Sequence, residues 1–475
     1  MLFNSFTFLI FLPIVFILYW FLLKKSFKAQ NILLLIASYV FYGWWDYRFL
    51  SLIFASTLVD YFVGLKLSKT EKKASRKWLL AISLLFNLGL LCYFKYANFF
   101  IDSWVEAWGS IGVNFNISSL NVILPVGISF YTFQTLSYTI DIYRKQLQPT
   151  SSFFRFATYV AFFPQLVAGP IERAAHLLPQ FDRKRIFDFE YAKSGISLIL
   201  WGMFKKVVIA DNCAFFVNQI FNDISGQSSA ELAIGAVLFG FQIYGDFSGY
   251  SDIAIGVARL FGFDLMTNFR FPYFSKNIPE FWRRWHISLS TWFRDYLYIP
   301  LGGSRGGLLM KIRNIFAIFL VSGLWHGANW TFVIWGGIHA ALYLPTLLSK
   351  APKRKVSNNE FKFSQLPAML YTFIAVMLAW VFFRAANVSQ ALDYHYRMIN
   401  LNSADISLFT GSSKMLLFSL IIVFGIIALL FFEFKAFKRS QAEVKLSVLS
   451  SIGVFLLILF LGVFKNPSDF IYFQF

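Results

Sequence analysis

Histidine is scarce in this chain of 475 residues, so the positions of its five histidines are informative. They are His176, His286, His326, His339 and His395. His326 lies in the segment SGLWHGANW, inside an otherwise apolar stretch from Asn314 to Leu347. A dry environment keeps an imidazole neutral, which is the form that takes a proton from a hydroxyl group. We therefore expect His326 to act in proton transfer, with a structural hydrogen bond to a neighbouring helix as the alternative. We interpret His339 as a packed helix residue, and His176 and His395 as loop residues.

His286 lies in a segment that combines tryptophans with arginines. The sequence FWRRWHISLSTWFRDY places large apolar side chains at helical spacing from Trp282 to Trp292 and predicts an amphipathic element. Its arginines favour a helix at the membrane surface. The same cations could bind the phosphates of a cosubstrate, because arginine pairs with phosphate oxygens in a bidentate manner. On these residues alone, the interfacial helix is the better interpretation.

Carboxylates and glycines give weaker signals. The segment GDFSGYSD contains Asp246 and Asp252 in a stretch interrupted by glycines. We expect the two aspartates to pair with arginines and hold this region together, or alternatively to orient a histidine. The segment GGSRGG at Gly302–Gly307 lacks the Gly-Lys-Ser/Thr ending of a phosphate-binding loop and is interpreted as a flexible turn. The chain has no His-Glu-x-x-His motif and no close histidine pair in sequence, so we expect no metal site.

The composition is that of a membrane protein. Hydrophobic residues make up 57% of the chain and charged residues only 14%, whereas soluble globular proteins carry about 25% charged residues. This excludes a soluble enzyme. The formal net charge of +19 resides in short clusters between apolar runs, as the positive-inside rule describes, so we expect no nucleic-acid partner. Cys92 and Cys213 form no Cys-x-x-Cys pair, and no disulfide framework is implied.

Apolar runs follow one another along the whole chain. Because a spanning helix needs about 20 mostly apolar residues, the runs predict about ten to twelve crossings. We predict an all-α polytopic membrane protein with a single integral-membrane domain over residues 1–475. The predicted spans are Phe6–Leu23, Asn31–Trp45, Leu50–Leu67, Trp78–Tyr96, Asn121–Ile140, Gly195–Ala210, Ala230–Tyr244, Asn314–Leu324, Thr331–Leu347, Pro367–Phe383, Met415–Phe432 and Val448–Phe464.

Three further stretches are too polar to cross lipid and too apolar for water. They are Phe153–Pro170, Gly245–Gly262 and Asn268–Leu301. Because irregular backbone at membrane depth must be buried in protein or line a cavity, we expect re-entrant or interfacial helices there. The basic loops within residues 66–77, 350–362 and 435–445 should be cytoplasmic and the loop 97–120 external, which places both termini outside. The first apolar run is expected to be a retained helix and not a signal peptide.

The longer motifs resemble those of the membrane-bound O-acyltransferase family, in its bacterial branch that acetylates alginate or transfers D-alanine to teichoic acid. The resemblance covers essentially the whole chain. The motifs that match are RRWHISLSTWFRDYLYIPLGG at Arg283–Gly303, GLWHGANW at Gly323–Trp330, DFSGYSDIAIG at Asp246–Gly256 and AGPIER at Ala168–Arg173. The FIYFQF ending at Phe470–Phe475 is closer to the alginate type.

The resemblance implies a ring of membrane helices around a thinned centre with a tunnel, and a catalytic core at about residues 121–347. His326 takes the position of the family's essential histidine, as general base or transient acyl carrier, and His286 that of the second histidine. His286 and Asn329 would position or polarise the donor. Contacts with donor or substrate are also expected from Arg283, Arg284, Trp325 and Ser288. Asp246 and Asp252 are expected to support the site structurally without touching the substrate.

The expected function is therefore O-acetylation of a polysaccharide outside the cytoplasm, alginate or a similar glycan. Acetyl-CoA would be the cytoplasmic cosubstrate, with no bound cofactor. The protein would be a multi-pass protein of the bacterial inner membrane, and a periplasmic acetylesterase-like protein would complete the transfer. Two alternatives stay open: D-alanyl or other acyl transfer on the same fold, and a polysaccharide or lipid transporter. An adjacent gene for an esterase-like protein would favour acetylation, and one for a carrier-protein ligase would favour D-alanine.

Overall fold

The computed structural model describes residues 1–115, 117–167, 169–349, 361–401, 403–465 and 468–471. Within these residues the secondary structure is helical, with 21 α-helices joined by short 3₁₀ and π-helical segments and no β-strand. The prediction of an all-α fold is confirmed. The basic cluster at Lys350, Lys353, Arg354 and Lys355, together with Ala168 and the last four residues of the FIYFQF motif, lies outside the described residues.

Contacts between backbones divide the chain into two compact units. The first comprises residues 1–193 and 257–266. Its helices are α1 Phe6–Ile17, α2 Phe27–Gly43, α3 Leu50–Lys69, α4 Lys73–Leu91, α5 Ala97–Gly109, α6 Ile128–Tyr143, α7 Phe153–Ala161, α8 Phe163–Leu166 and α9 Ala174–Leu177.

The second unit comprises residues 194–256 and 267–475. Two of its helices have residues in both units. Helix α10 Phe189–Met203 begins in the first unit, and helix α12 Ser229–Leu260 ends there. The others are α11 Asp211–Asn222, α13 Ile278–Arg284, α14 Ile287–Phe293, α15 Leu308–His326, α16 Trp330–Leu348, α17 Leu366–Arg384, α18 Val388–Ile399, α19 Ser407–Thr410, α20 Ser413–Lys438 and α21 Val448–Leu461. His395 therefore lies in helix α18 and not in a loop, and His176 lies in the single turn α9.

Helix starts are set by short polar side chains that accept hydrogen bonds from the first turn. Ser5 accepts from the amide of Phe8 at the start of α1, and Ser412 accepts from the amide of Met415 at the start of α20. Such caps satisfy backbone donors that the helix itself leaves unpaired. The same device recurs at Asn329, the cap of α16, and fixes where that helix begins.

Length and apolarity identify the helices that are candidates for crossing a membrane. Within the described residues, seven helical segments have the length and apolarity to span. They cover residues 47–69, 73–109, 229–260, 308–326, 330–348, 363–384 and 413–438, and shorter apolar helices cover 6–22 and 448–461. The run at Asn121–Ile140 becomes the 16-residue α6, nearly all of whose side chains are buried. An apolar run signals burial in protein as readily as burial in lipid, so the number of apolar runs does not by itself give the number of crossings.

The stretch Gly245–Gly262 is not a re-entrant segment, contrary to the prediction, because it continues the 32-residue helix α12 as far as Leu260. Its glycines allow close packing against α10 and do not break the helix. A Cβ added at Gly249 would lie 2.7 Å from the carbonyl oxygen of Gly202, and one at Gly256 would lie 2.5 Å from that of Gly195. By contrast, Asn268–Leu301 forms the short helices α13 and α14 and a π-helical turn.

In the first unit a polar network ties three helices together. Asp60 of α3 is fully buried and accepts hydrogen bonds from Asn87 Nδ2 over 2.8 Å and from Thr139 Oγ1 over 3.0 Å, as well as from Ser83. Asn87 lies on α4 and Thr139 on α6. Side-chain hydrogen bonds between helices replace the hydrophobic driving force that lipid cannot supply.

Candidate active site

His286 lies at the junction of α13 and α14 in a left-handed backbone conformation, with φ of 43°. A residue other than glycine seldom adopts this conformation, and such strain is concentrated at functional sites. The side chain is fully buried. The local structure therefore holds the imidazole in one place at a cost in backbone energy.

Asn268 orients this imidazole. Its Oδ1 lies 3.1 Å from His286 Nδ1 and accepts hydrogen bonds from the amide and the hydroxyl of Ser288. Its Nδ2 donates to the hydroxyl of Ser251 over 3.1 Å. Because the Asn268 oxygen is an acceptor, Nδ1 of His286 carries the proton of the neutral ring, and Nε2 is the nitrogen with the lone pair.

His286 stays neutral at physiological pH. It lies outside the spanning segments, and burial lowers its pKa from 6.5 to about 3. Phe247 packs edge-on against the ring at 4.6 Å between centroids. A neutral imidazole with a lone pair on Nε2 has the protonation state of a general base.

His326 ends helix α15 beside His286. The two ring centroids are 6.5 Å apart. His326 is buried among aromatic rings, with centroid separations of 4.9 Å to Trp325, 5.1 Å to Trp335 and 5.3 Å to Phe383. The structure thus brings together the two histidines that were predicted to be catalytic, although 40 residues separate them in the chain.

The glycines around His326 serve helix packing. A Cβ added at Gly323 would lie 2.2 Å from the carbonyl oxygen of Phe332, and one at Gly327 would lie 2.1 Å from the Phe332 ring. Helices α15 and α16 therefore approach each other closely at these positions. The close approach fixes the position of His326 at the end of α15.

The predicted donor-binding residues fall into different surroundings. Trp325 is buried beside both histidines, with its ring 4.9 Å from that of His326 and 6.0 Å from that of His286. Ser288 is buried two residues after His286 and donates to Asn268. Asn329 caps α16, with its Oδ1 accepting from the amide of Thr331 and its Nδ2 donating to the carbonyl of Ala386 over 2.9 Å. The amide of Asn329 is thus engaged by the backbone.

The two neighbouring arginines separate. Arg284 is buried, forms an ion pair with Glu280 over 2.9 Å and donates to the carbonyl of Arg270 over 3.2 Å. Arg283 is exposed and lines a cavity of about 350 Å³. Of the two, Arg283 is better placed to meet a phosphate group.

The cavity beside Arg283 has mixed chemistry. Its lining combines the cations Arg283 and Arg294, the hydroxyl groups of Ser290, Tyr298, Ser304, Ser322 and Tyr343, and apolar side chains that include Trp282, Leu289, Phe293 and Phe319. Ser322 lies four residues before His326 on α15 and therefore on the same side of that helix. A cavity of this composition suits a ligand with an apolar chain and an anionic group.

Asp246 and Asp252 are paired with lysines, whereas arginines were expected. Lys206 Nζ lies 2.8 Å from Asp246 and 2.9 Å from Asp211, and Lys205 Nζ lies 2.6 Å from Asp252. The backbone of the segment at residues 468–471 joins this cluster, because the amide of Ile471 donates to Asp246 over 2.6 Å and Lys206 donates to the carbonyl of Ser468 over 3.0 Å. The cluster holds the interior of the second unit together.

Sequence reasoning missed several residues of this region. Lys205 and Lys206 stand next to each other inside an apolar run, which was a readable signal because an ionisable group at membrane depth is functional or paired. Asn268 and Glu280 gave no such signal. Their roles depend on backbone segments that come together only in the fold.

A family model described as the membrane-bound O-acyltransferase family matches residues 84–392. The chain belongs to the membrane-bound O-acyltransferase family. The match includes His286 and His326 together with the cavity. The chain is therefore an integral-membrane acyltransferase, and the transporter alternative is not retained.

Individual relatives match different shares of the chain. A protein named probable alginate O-acetylase from Pseudomonas putida is 38% identical and covers 100% of this chain and 100% of its own. A peptidoglycan O-acetyltransferase from Helicobacter pylori is 38% identical over 86% of this chain and 81% of its own. A teichoic acid D-alanyltransferase from Bacillus subtilis is 31% identical over 47% of this chain and 58% of its own.

Proposed function

We propose that this acyltransferase moves acetyl groups from cytoplasmic acetyl-CoA to a polysaccharide outside the cytoplasmic membrane, with a periplasmic protein completing the transfer. The names of two relatives that cover most of the chain support acetyl transfer to a glycan, alginate in one and peptidoglycan in the other. The D-alanyltransferase relative matches less than half of the chain. Acetyl is therefore favoured over D-alanine as the acyl group.

One observation supports this chemistry most strongly, namely the two buried imidazoles at 6.5 Å in an aromatic surrounding. Transfer from a thioester to a hydroxyl requires that the hydroxyl proton be removed as the oxygen attacks the carbonyl carbon. Water must be excluded, because it would compete as the nucleophile. The tryptophans and phenylalanines around His326 meet the second requirement.

The reaction proceeds by proton transfer at His326. As His326 takes the proton, the hydroxyl oxygen bonds to the acetyl carbon, the carbon–sulfur bond then breaks, and the proton returns to the leaving thiolate. His286 supplies a second acceptor nitrogen next to the reacting groups. With its proton on Nδ1, neutral His286 has no N–H on Nε2 that could donate a hydrogen bond to the thioester carbonyl. This tautomer therefore does not suit the carbonyl-polarising role expected from the family resemblance.

The donor is held in the cavity lined by Arg283 and Arg294. The guanidinium groups would contact phosphate, and the apolar lining would accommodate the pantetheine arm. The position of Ser322 in this lining, one helical turn before His326, supports entry of the thioester from this side.

The test uses cells that lack the endogenous acyltransferase and express this chain. Membrane vesicles with the cytoplasmic face outward are supplied with radiolabelled acetyl-CoA, and label in glycan is counted. We expect label with the wild-type chain and none with His326→Ala. Parallel vesicles receive the D-alanyl carrier protein, and label from that donor alone would replace acetyl with D-alanine in the proposal.

A further inference from the structure

His339 lies in the interior of helix α16, is fully buried and holds the indole of Trp282. Trp282 Nε1 donates a hydrogen bond to His339 Nδ1 over 3.3 Å. A neutral imidazole that accepts at Nδ1 carries its proton on Nε2, so one tautomer is selected. The sequence suggested only a packed helix residue here. The hydrogen bond gives the side chain a directional role.

Trp282 forms part of the cavity wall that faces the proposed donor. It lines the cavity together with Phe319 of α15. Both rings pack on His339, Trp282 at 5.1 Å and nearly perpendicular, and Phe319 at 6.2 Å and nearly parallel. His339 therefore touches both aromatic residues of this wall from behind, without lining the cavity itself.

The same wall separates the cavity from His326. Trp335, one turn before His339 on α16, lies 5.7 Å from Trp282 on one side and 5.1 Å from His326 on the other. The rings of Trp282 and Trp335 thus follow one another between the cavity and the candidate base His326. A change in the orientation of this indole would alter the space available between the cavity and His326.

We propose that His339 is a positioning residue that fixes Trp282 and thereby limits the size of the acyl group that can reach His326. The inference rests on the proposed function, because it concerns the acyl group of the same donor. Without the hydrogen bond from Trp282, the indole can rotate about its side-chain bonds. The cavity then accepts a longer acyl chain next to the base.

The experiment compares acyl donors of increasing length. Membrane vesicles containing the full-length chain receive radiolabelled acetyl-CoA, propionyl-CoA or butyryl-CoA, and kcat and KM for transfer to glycan are measured for each. The variant His339→Phe keeps a flat ring and removes the acceptor, and His339→Asn keeps an acceptor oxygen near the position of Nδ1. His395→Phe is the matched control, since His395 lies in α18 and its two ring nitrogens contact the backbone carbonyls of Ala391 and Leu378.

We expect wild type, His339→Asn and His395→Phe to prefer acetyl over butyryl. In His339→Phe this preference should fall by roughly tenfold, because a single methylene in a fitted pocket changes kcat/KM by about 10- to 200-fold. A uniform loss of kcat with unchanged selectivity would assign His339 a purely structural role and overturn the inference.

Trp282→Phe provides an independent measurement if His339→Phe does not accumulate in the membrane. It removes the indole N–H that donates the hydrogen bond and puts a smaller ring in the cavity wall, while His339 stays in place. The same loss of acetyl preference is therefore expected. Unchanged selectivity in this variant also overturns the inference. If the wild-type chain uses no acyl-CoA at all, the donor assignment fails, and the inference fails with it. That result is distinct from active enzyme with unaltered selectivity.

Discussion

Oδ1 of Asn268 accepts a hydrogen bond from Nδ1 of His286 over 3.1 Å, and this contact decides which nitrogen of the imidazole can take a proton. The strained backbone at His286 and the hydrogen bonds from Ser288 to the same oxygen make the orientation unique. Such an orientation matters for any proton transfer that involves His286, because proton transfer depends on the distance and direction of one lone pair.

Replacing Asn268 with aspartate should shift the pH dependence of transfer. A carboxylate next to Nδ1 favours protonated imidazole and raises the pKa of His286. Activity should therefore be lost on the acid side at a higher pH than in wild type, and it should be retained at neutral and alkaline pH, where the imidazole is neutral. The pH profile of kcat/KM tests this. Asn387→Asp is the control, since Asn387 only caps α18 and aspartate caps a helix equally well. An Asn268→Asp profile identical to that of wild type would contradict the orienting role.

Removing Lys206 should destabilise the second unit strongly. Lys206→Met leaves Asp246 and Asp211 as buried carboxylates without their cation, which costs about 3–5 kcal/mol in comparable buried clusters. Thermal unfolding in detergent, followed by size-exclusion chromatography, measures the loss. Lys193→Met is the comparison, because the Lys193–Glu190 pair is exposed and should contribute at most about 1 kcal/mol. Equal melting temperatures for the two variants would show that the cluster has no structural role.

The packing of α12 on α10 predicts opposite effects for two glycine substitutions. Gly249→Ala should destabilise by about 1–3 kcal/mol, because its Cβ would lie 2.7 Å from the Gly202 carbonyl. Gly453→Ala in α21 meets no atom within 4 Å and should be neutral or slightly stabilising, since alanine favours helix. The two melting temperatures, measured side by side, test the pair. A stable Gly249→Ala variant would mean that the two helices are farther apart than described.

His176 should make the first unit less stable in alkali. Hydrogen bonds to Asp264 and to buried Glu172 raise the pKa of His176 from 6.5 to about 10. Because the folded protein then binds the proton more tightly than the unfolded chain, this contribution to stability is complete below pH 6.5 and is lost as the pH rises through about 10. Burial raises the pKa of Glu172, and the hydrogen bond from His176 opposes that rise.

The measurement is the difference in melting temperature between wild type and His176→Gln from pH 6 to pH 10.5. The difference should be greatest near pH 6 and shrink toward the alkaline end. A difference that stays constant with pH would show that His176 does not remain protonated in the folded protein. The effect should be modest, because more than a third of the His176 side chain is exposed and water screens the interaction.

Much of the fold could be predicted because composition and apolar runs report directly on a membrane environment. The helix Trp330–Leu348 begins and ends within one residue of the predicted run Thr331–Leu347, and the helix Leu308–His326 contains the predicted run Asn314–Leu324. One prediction failed for a physical reason that the sequence does not display. Gly245–Gly262 suggested a broken segment, yet its glycines face another helix.

For the site, His326 could be found from its depth in apolar sequence and from a family motif, and His286 from a family motif alone. Asn268 could not, because its oxygen meets His286 only after a loop has folded back across 18 residues. The same holds for His339, whose role depends on an indole 57 residues away. Residue type and depth identify ionisable groups, whereas their partners depend on tertiary packing.

If His326 takes the hydroxyl proton with His286 as its neighbour, acetyl transfer should require both imidazoles. Acetyl incorporation into glycan is measured in cells lacking the endogenous acyltransferase, with wild type, His326→Ala, His286→Ala and His395→Ala present at equal amounts in the membrane. We expect wild-type incorporation with His395→Ala and at least a hundredfold loss with either site variant, in keeping with the about 10²- to 10⁴-fold contribution of general bases. Incorporation by His326→Ala or His286→Ala at the wild-type level would contradict the proposed role of that histidine in acetyl transfer.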